Sequence, residues 1–268
     1  MKFTSHQRAG LSLNVAVTGD GPAMIFQHGL CGDAAQPLDL FPQGLGWRCV
    51  TLECRGHGGS DAGASDDFSI ATFADDLIAL IEARALAPVV LGGISMGAAI
   101  SLRIAVKRPE IVKALVLVRP AWLAAAAPEN MQPNAVVGGL LRRFAPDVAR
   151  EQFEVLDIAP RLQREAPDNL ASLRRVFTRQ PIATTRDLLC RISADGPGVT
   201  LDEIASLRIP SLVLGCARDF VHPLALAQAL ASRIVGARFV EVASKADNPR
   251  GYRDEVRSTL ANFLTEIT

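Results

Sequence analysis

Five residues in the first half of the chain could do covalent chemistry: Gly93-Ile94-Ser95-Met96-Gly97. An apolar run, Pro88-Val89-Val90-Leu91-Gly92, precedes them, and a helical pattern from Ala98 to Ala105 follows. A serine between glycines where a strand turns into a helix is lifted clear of the sheet, and only small neighbours fit so tight a turn. The backbone N–H of Met96 then points at whatever Ser95 attacks. A second stretch, Gln27-His28-Gly29-Leu30-Cys31-Gly32, ends another strand and places a loop N–H, that of Leu30, across from the serine. Two such donors form a pocket for an oxyanion, the largest single contribution to acyl transfer. The His28 imidazole is read as shaping this loop; the function is assigned to the backbone.

A serine hydroxyl is a weak nucleophile unless a base takes its proton. The chain has four histidines, and none lies beyond His222. His222 falls in Asp219-Phe220-Val221-His222-Pro223, at the sheet end that carries Ser95. As alternatives to the base role, it caps the helix starting near Pro223 or only lines the pocket. His57, in the turn Arg55-Gly56-His57-Gly58-Gly59-Ser60, is a second candidate. That turn lacks the Lys-Ser/Thr of a phosphate loop and opens no Gly-x-Gly-x-x-Gly helix, so it reads as structural. Asp247 could act as a base only if burial raised its pKa. Lys245 reads as a solvated loop lysine. The remaining pocket candidate is Trp122, for which the core of a helical segment is the competing reading.

The elements needed to position these groups are legible as strands alternating with helices. Leu11 to Val17 alternates and ends in Gly19-Asp20-Gly21-Pro22. Strands follow at Ala23–Gln27, Trp47–Leu52, the run into Ser95 and Ala114–Val118, with a helix at Ile70–Ala83 whose apolar residues Ile70, Phe73, Leu77, Leu80 and Ile81 share one face. This order predicts a mostly parallel sheet covered on both faces. From 121 to 200 the pattern changes: no strand-like run, seven prolines read as breaks, and many arginines interleaved with acids. It predicts a helical insertion of about four short helices, its arginines on solvated faces with a weak hint of an anionic substrate. The α/β pattern resumes at Ser211–Gly215, a helix near Leu224–Ile234, a strand at Arg238–Val242 and a last helix near Tyr252–Thr265.

Composition limits the alternatives. The 268 residues carry 28 basic and 28 acidic side chains, so no polyanion partner is indicated and nucleic acid is not expected. Hydrophobic content is 49% with only 5% aromatics, which predicts a core of Ala, Val, Leu and Ile. The first residues show no apolar signal-peptide core, and no uncharged run approaches the ~18–20 residues of a membrane span. Five scattered cysteines show neither a disulfide framework nor metal-ligand spacing, which predicts reduced thiols, a cytoplasmic location and no metal.

Taken together, His28-Gly29, Arg55-Gly56-His57-Gly58, Gly93-Ile94-Ser95-Met96-Gly97 and the late strand ending near Asp219 resemble the α/β-hydrolase fold superfamily. The resemblance covers the whole chain. It implies an eight-stranded, mostly parallel sheet flanked by helices, with a core at 1–120 and 201–268 and a helical cap at 121–200. It further implies Ser95 as nucleophile and Asp219 as the acid that orients the base. One departure stands out: the family's histidine follows the last strand, where this chain has Ala243-Ser244-Lys245-Ala246-Asp247-Asn248-Pro249, with Asp247 about where the imidazole belongs. The expected activity is cofactor-independent hydrolysis of a small ester, thioester or amide through an acyl-serine, with His222 as provisional base. Two other readings stay open: a catalytically weakened relative that binds a small ligand, and a C–C hydrolase or lyase using the same pocket.

Overall fold

The computed structural model describes residues 1–267. Eight strands form one sheet: β1 (Lys2–Arg8), β2 (Leu11–Thr18), β3 (Ala23–Gln27), β4 (Arg48–Leu52), β5 (Val89–Ile94), β6 (Val112–Val118), β7 (Ser211–Cys216) and β8 (Arg238–Val242). Their order is β1-β2-β4-β3-β5-β6-β7-β8. β2 is antiparallel to both β1 and β4, and every pair from β4 to β8 is parallel. The hairpin strand β1 was not anticipated. Its side chains are almost all exposed, so it lacks the alternation that marks a half-buried strand.

The central strands are buried on both faces, which is why they read as continuous apolar runs. Alternate residues serve two cores. Val90, Val116 and Leu214 face one with Tyr252, Val256, Leu260 and Phe263; Leu91, Leu117 and Val213 face the other with Phe73, Leu77 and Ile100. Each Val or Leu so buried contributes about 1.5–3 kcal/mol relative to exposure. The covering helices are α1 (Ala35–Leu40), α2 (Ile70–Ala83) and α3 (Met96–Lys107). Ser69 caps α2 by accepting from the Thr72 N–H at 3.0 Å.

Between β6 and β7 the chain forms α4 (Gln132–Arg143), α5 (Pro146–Glu154), α6 (Ile158–Glu165), α7 (Pro167–Val176) and α8 (Ile182–Ala194), then α9 (Leu201–Ala205). The segment thus holds five helices before Thr200, not four. Prolines 133, 146 and 167 sit in the first turns of helices, where a missing N–H costs nothing, rather than at breaks. α4 to α8 have an apolar cluster of their own, built on Val137, Phe153, Leu162, Leu170, Leu173 and Phe177. The last helices are α10 (Leu224–Arg233) and α11 (Pro249–Glu266). Among the described residues, no helix is long and apolar enough to cross a membrane.

Candidate active site

Ser95 joins β5 to α3 with φ +56° and ψ −111°, a conformation that non-glycine residues rarely adopt and that costs on the order of 1–3 kcal/mol. Its backbone is fixed on both sides: its N–H donates to the Val118 carbonyl at 3.0 Å, and its carbonyl accepts from Ala98 and Ala99. The flanking glycines are sterically required. A Cβ on Gly93 would overlap the Gly97 carbonyl, and one on Gly97 would overlap the Gln27 carbonyl.

Past the C-terminal end of β7 the chain turns at Arg218 (φ +55°) into Asp219. Asp219 Oδ1 accepts from the backbone N–H of His222 at 3.0 Å and lies 2.9 Å from its Nδ1. His222 Nε2 lies 2.8 Å from Ser95 Oγ. The consistent proton arrangement has Nδ1–H donating to Asp219 and Ser95 O–H donating to Nε2. Asp219 therefore fixes its own turn and the imidazole with one carboxylate. The helical segment between β6 and β7 holds the same turn: Asn169 Oδ1, from α7, accepts from Phe220 N–H at 2.8 Å and Val221 N–H at 2.9 Å.

Arg119, at the end of β6, escaped the sequence reading. It is buried, has φ +48°, and donates through Nε to Asp219 Oδ2 at 2.6 Å. Its other end reaches Asp168 at 3.2 Å, and Lys245 Nζ meets Asp168 at 3.0 Å. Burial opposes ionisation of Asp219, but Arg119 and His222 outweigh it and hold the carboxyl well below its ordinary range. Burial lowers the pKa of His222; Asp219 works against this and Arg119 adds to it. The ring is thus kept neutral near pH 7, the form that can accept a proton.

Leu30, Ser95, Arg119, Asn169, His222 and Lys245 share a cavity of about 380 Å³ with residues of α7. Asn134 Oδ1 also lines it, buried and without a hydrogen-bond partner. Among the described residues, neither the Leu30 nor the Met96 N–H makes a hydrogen bond within the protein. Met96 itself is fully buried.

Four residues raised as possible pocket residues, His28, His57, Trp122 and Asp247, do not line this cavity. His28 is buried: Nδ1 meets the Gly29 carbonyl at 2.9 Å and Nε2 accepts from Cys54 N–H at 3.0 Å. His57 stacks on it at 4.7 Å and accepts from Cys31 N–H at 3.1 Å, so both rings brace the Leu30 loop from behind. Trp122 is buried and donates to the Asp195 carbonyl at 2.9 Å. Asp247 is exposed and pairs with Arg218. Its charge is better served by that surface guanidinium than by burial, and Lys245, not Asp247, turns toward the site. The Cys31 thiol lines the cavity, but burial pushes it up to about 11, so it is no thiolate near neutrality. All five cysteines are free, and among the described residues no group of three or more His, Cys, Asp or Glu is placed to hold a metal ion.

A serine on a strand–helix elbow at the carboxyl edge of such a sheet defines an α/β-hydrolase architecture. The α/β-hydrolase fold family model matches residues 22–244, and the chain belongs to that family. It is 24% identical over 277 residues to the AB hydrolase superfamily protein YisY of Bacillus subtilis, covering 94% of this chain and 95% of that one. It is 37% identical over 136 residues to the sn-1-specific diacylglycerol lipase ABHD11 of Mus musculus, covering 49% of this chain and 41% of the lipase. The crystal structure of the enol-lactonase from Burkholderia xenovorans LB400 superposes with a TM-score of 0.73 at 23% identity, covering 98% of this chain and 100% of that one.

Proposed function

We propose that this chain is a serine hydrolase acting on a small ester, thioester or amide, with Ser95 as nucleophile, His222 as base and Asp219 as orienting acid. The observation that carries the reading is the continuous line from Asp219 through His222 to Ser95 Oγ, with contacts of 2.9 and 2.8 Å. Neutral His222 takes the Ser95 proton as Oγ attacks the carbonyl. The imidazolium so formed is stabilised by the Asp219 carboxylate. The Leu30 and Met96 N–H groups receive the developing oxyanion; being free of other partners, they need no reorganisation to do so. His222 then protonates the leaving group. In the second half-reaction it takes a proton from water, which attacks the acyl-serine and releases the acid. Helices α4 to α8, residues of the proposed 121–200 cap, exclude water and shape the pocket.

The ligand-binding alternative was motivated by a missing imidazole, and an imidazole in contact with Ser95 removes that motive. A fluorophosphonate probe tests the reading. Ser95 is expected to be labelled, with labelling lost in Ser95→Ala and sharply reduced in His222→Ala. An unlabelled wild-type protein across the pH range would refute it.

A further inference from the structure

Four basic side chains line the cavity: Arg119, Lys245, Arg175 and Arg179. The first two are neutralised by Asp219 and Asp168. The other two are not. Arg175, at the end of α7, is exposed and donates only to Ser172 Oγ at 3.1 Å. Arg179, four residues on, donates to the Gly56 carbonyl at 2.7 Å and to Thr185 Oγ1 at 2.9 Å. Among the described residues neither has a carboxylate partner. Elsewhere on the helical segment Arg161, Arg174, Arg186 and Arg191 each pair with one, whereas Arg142, Arg143, Arg150 and Arg164, which have no such pair among the described residues, lie outside the cavity lining. The remaining acid on the cavity wall, Asp33, accepts from the Ala35 N–H at 2.9 Å.

We infer that Arg175 and Arg179 form an anion subsite, and that the substrate of the proposed hydrolase carries a carboxylate in addition to its scissile bond. The inference rests on the reading of Ser95 as nucleophile only for the word substrate; the subsite itself stands on the arginines. Arg179 is held in place by two hydrogen bonds, which leave three of its five N–H donors unused. Such a pre-oriented guanidinium suits a carboxylate, whose two oxygens match the fork. Its charge also bears on Cys31 and His57, which puts it beside the Leu30 loop. The carboxylate therefore lies on the lid side of the cavity, toward the mouth marked by exposed Arg175.

Binding to the Ser95→Ala protein, measured by isothermal titration, tests this without turnover. Monomethyl glutarate is expected to bind at least about tenfold more tightly than dimethyl glutarate. Acetoxyacetic acid against methyl acetoxyacetate puts the charge on the alcohol side, and a preference in either pair supports the subsite. Arg175→Gln, at an exposed position that folding tolerates, is expected to cut the preference severalfold. Arg179→Gln is expected to cut it further. Equal affinity for acid and ester in both pairs, or a preference that survives both substitutions, would overturn the inference. Preferential binding by a protein that never labels at Ser95 would leave the subsite standing and remove the hydrolase reading.

Discussion

Acid should destabilise this protein well above the range where its carboxylates titrate. His28 and His57 are buried and His222 is largely so, and burial lowers the pKa of each below the ordinary 6.5, that of His57 furthest, with the neighbouring His28 and Arg179 adding to it. In the unfolded chain these rings titrate near 6.5. Between the folded and unfolded values the unfolded chain binds more protons, so stability rises with pH there and falls as pH drops below about 6.5. For one ring that stays neutral while folded, moving from about pH 7.5 to about pH 5.5 removes ~1.4 kcal/mol. His57, lowered furthest, contributes most, and three rings that each stayed neutral would together carry ~4 kcal/mol, a large share of a typical 5–15 kcal/mol. His6, shallower, shifts in the same direction. Asp168 and Asp219 also have lowered values, but their contribution is lost only as pH falls through the carboxylate range, below this window. Urea unfolding at closely spaced pH values reads the effect directly. His57→Gln should lower stability at neutral pH, because the Cys31 N–H loses its acceptor, yet flatten the pH dependence by ~1.4 kcal/mol over the window. Stability that is flat from about pH 7.5 to about pH 5.5, or a slope unchanged in His57→Gln, would refute the assignment of neutral buried rings.

Turnover should follow the same ring chemistry. The acid limb of kcat/KM is expected below pH 6.5, because the proposed mechanism needs neutral His222 and its pKa is lowered; a pH–rate profile checks this. Asp219→Asn should lower kcat by about 10⁴, read by ester turnover. Arg119→Gln leaves Asp219 buried without its guanidinium and should cost about 3–5 kcal/mol in denaturant unfolding. In that variant the acid limb should move to higher pH, since the Arg119 charge had depressed the imidazole. Gly97→Ala should cost about 3 kcal/mol and abolish fluorophosphonate labelling, because its Cβ has nowhere to go but into the Gln27 and His28 carbonyls.

The elements that were legible in the sequence are those whose information is local. The elbow at Ser95 is dictated by two glycines and a strand–helix switch, all within a few residues. Strands β5 to β7 announce themselves because both faces are buried, and α2 because its apolar face repeats every turn. β1 gives no such signal, since its own residues are mostly polar and exposed and only backbone pairing with β2 holds it in the sheet. The prolines of the helical segment misled for a related reason: a proline reads alike as a break and as a first turn until the following residues are seen to pack.

Site residues brought together by topology were harder to see. Arg119 and Asp219 are a hundred positions apart, and in one dimension an arginine after a buried strand looks like any surface cation. In the fold it ends β6 at the edge where β5 presents Ser95, next to β7, whose following loop carries Asp219. That adjacency bears on the departure from the family pattern. A histidine in the loop after β8 would be oriented by an aspartate from another element. Here acid and imidazole lie in one short turn, where a single carboxylate must hold the backbone N–H and the ring of His222 together. So short a turn has few internal constraints, and the structure adds external ones: Arg119 on Oδ2 of Asp219, Asn169 on the Phe220 and Val221 amides, and Asn130 on the Val221 carbonyl. Under the proposed role of His222 the loop after β8 carries no imidazole, and its Lys245 neutralises Asp168, the second partner of Arg119. The proposed assignment of His222 as base thus gives a part to two residues that sequence reasoning passed over, Arg119 and Asn169 as supports of its turn, and to Lys245, which was read as a solvated loop lysine.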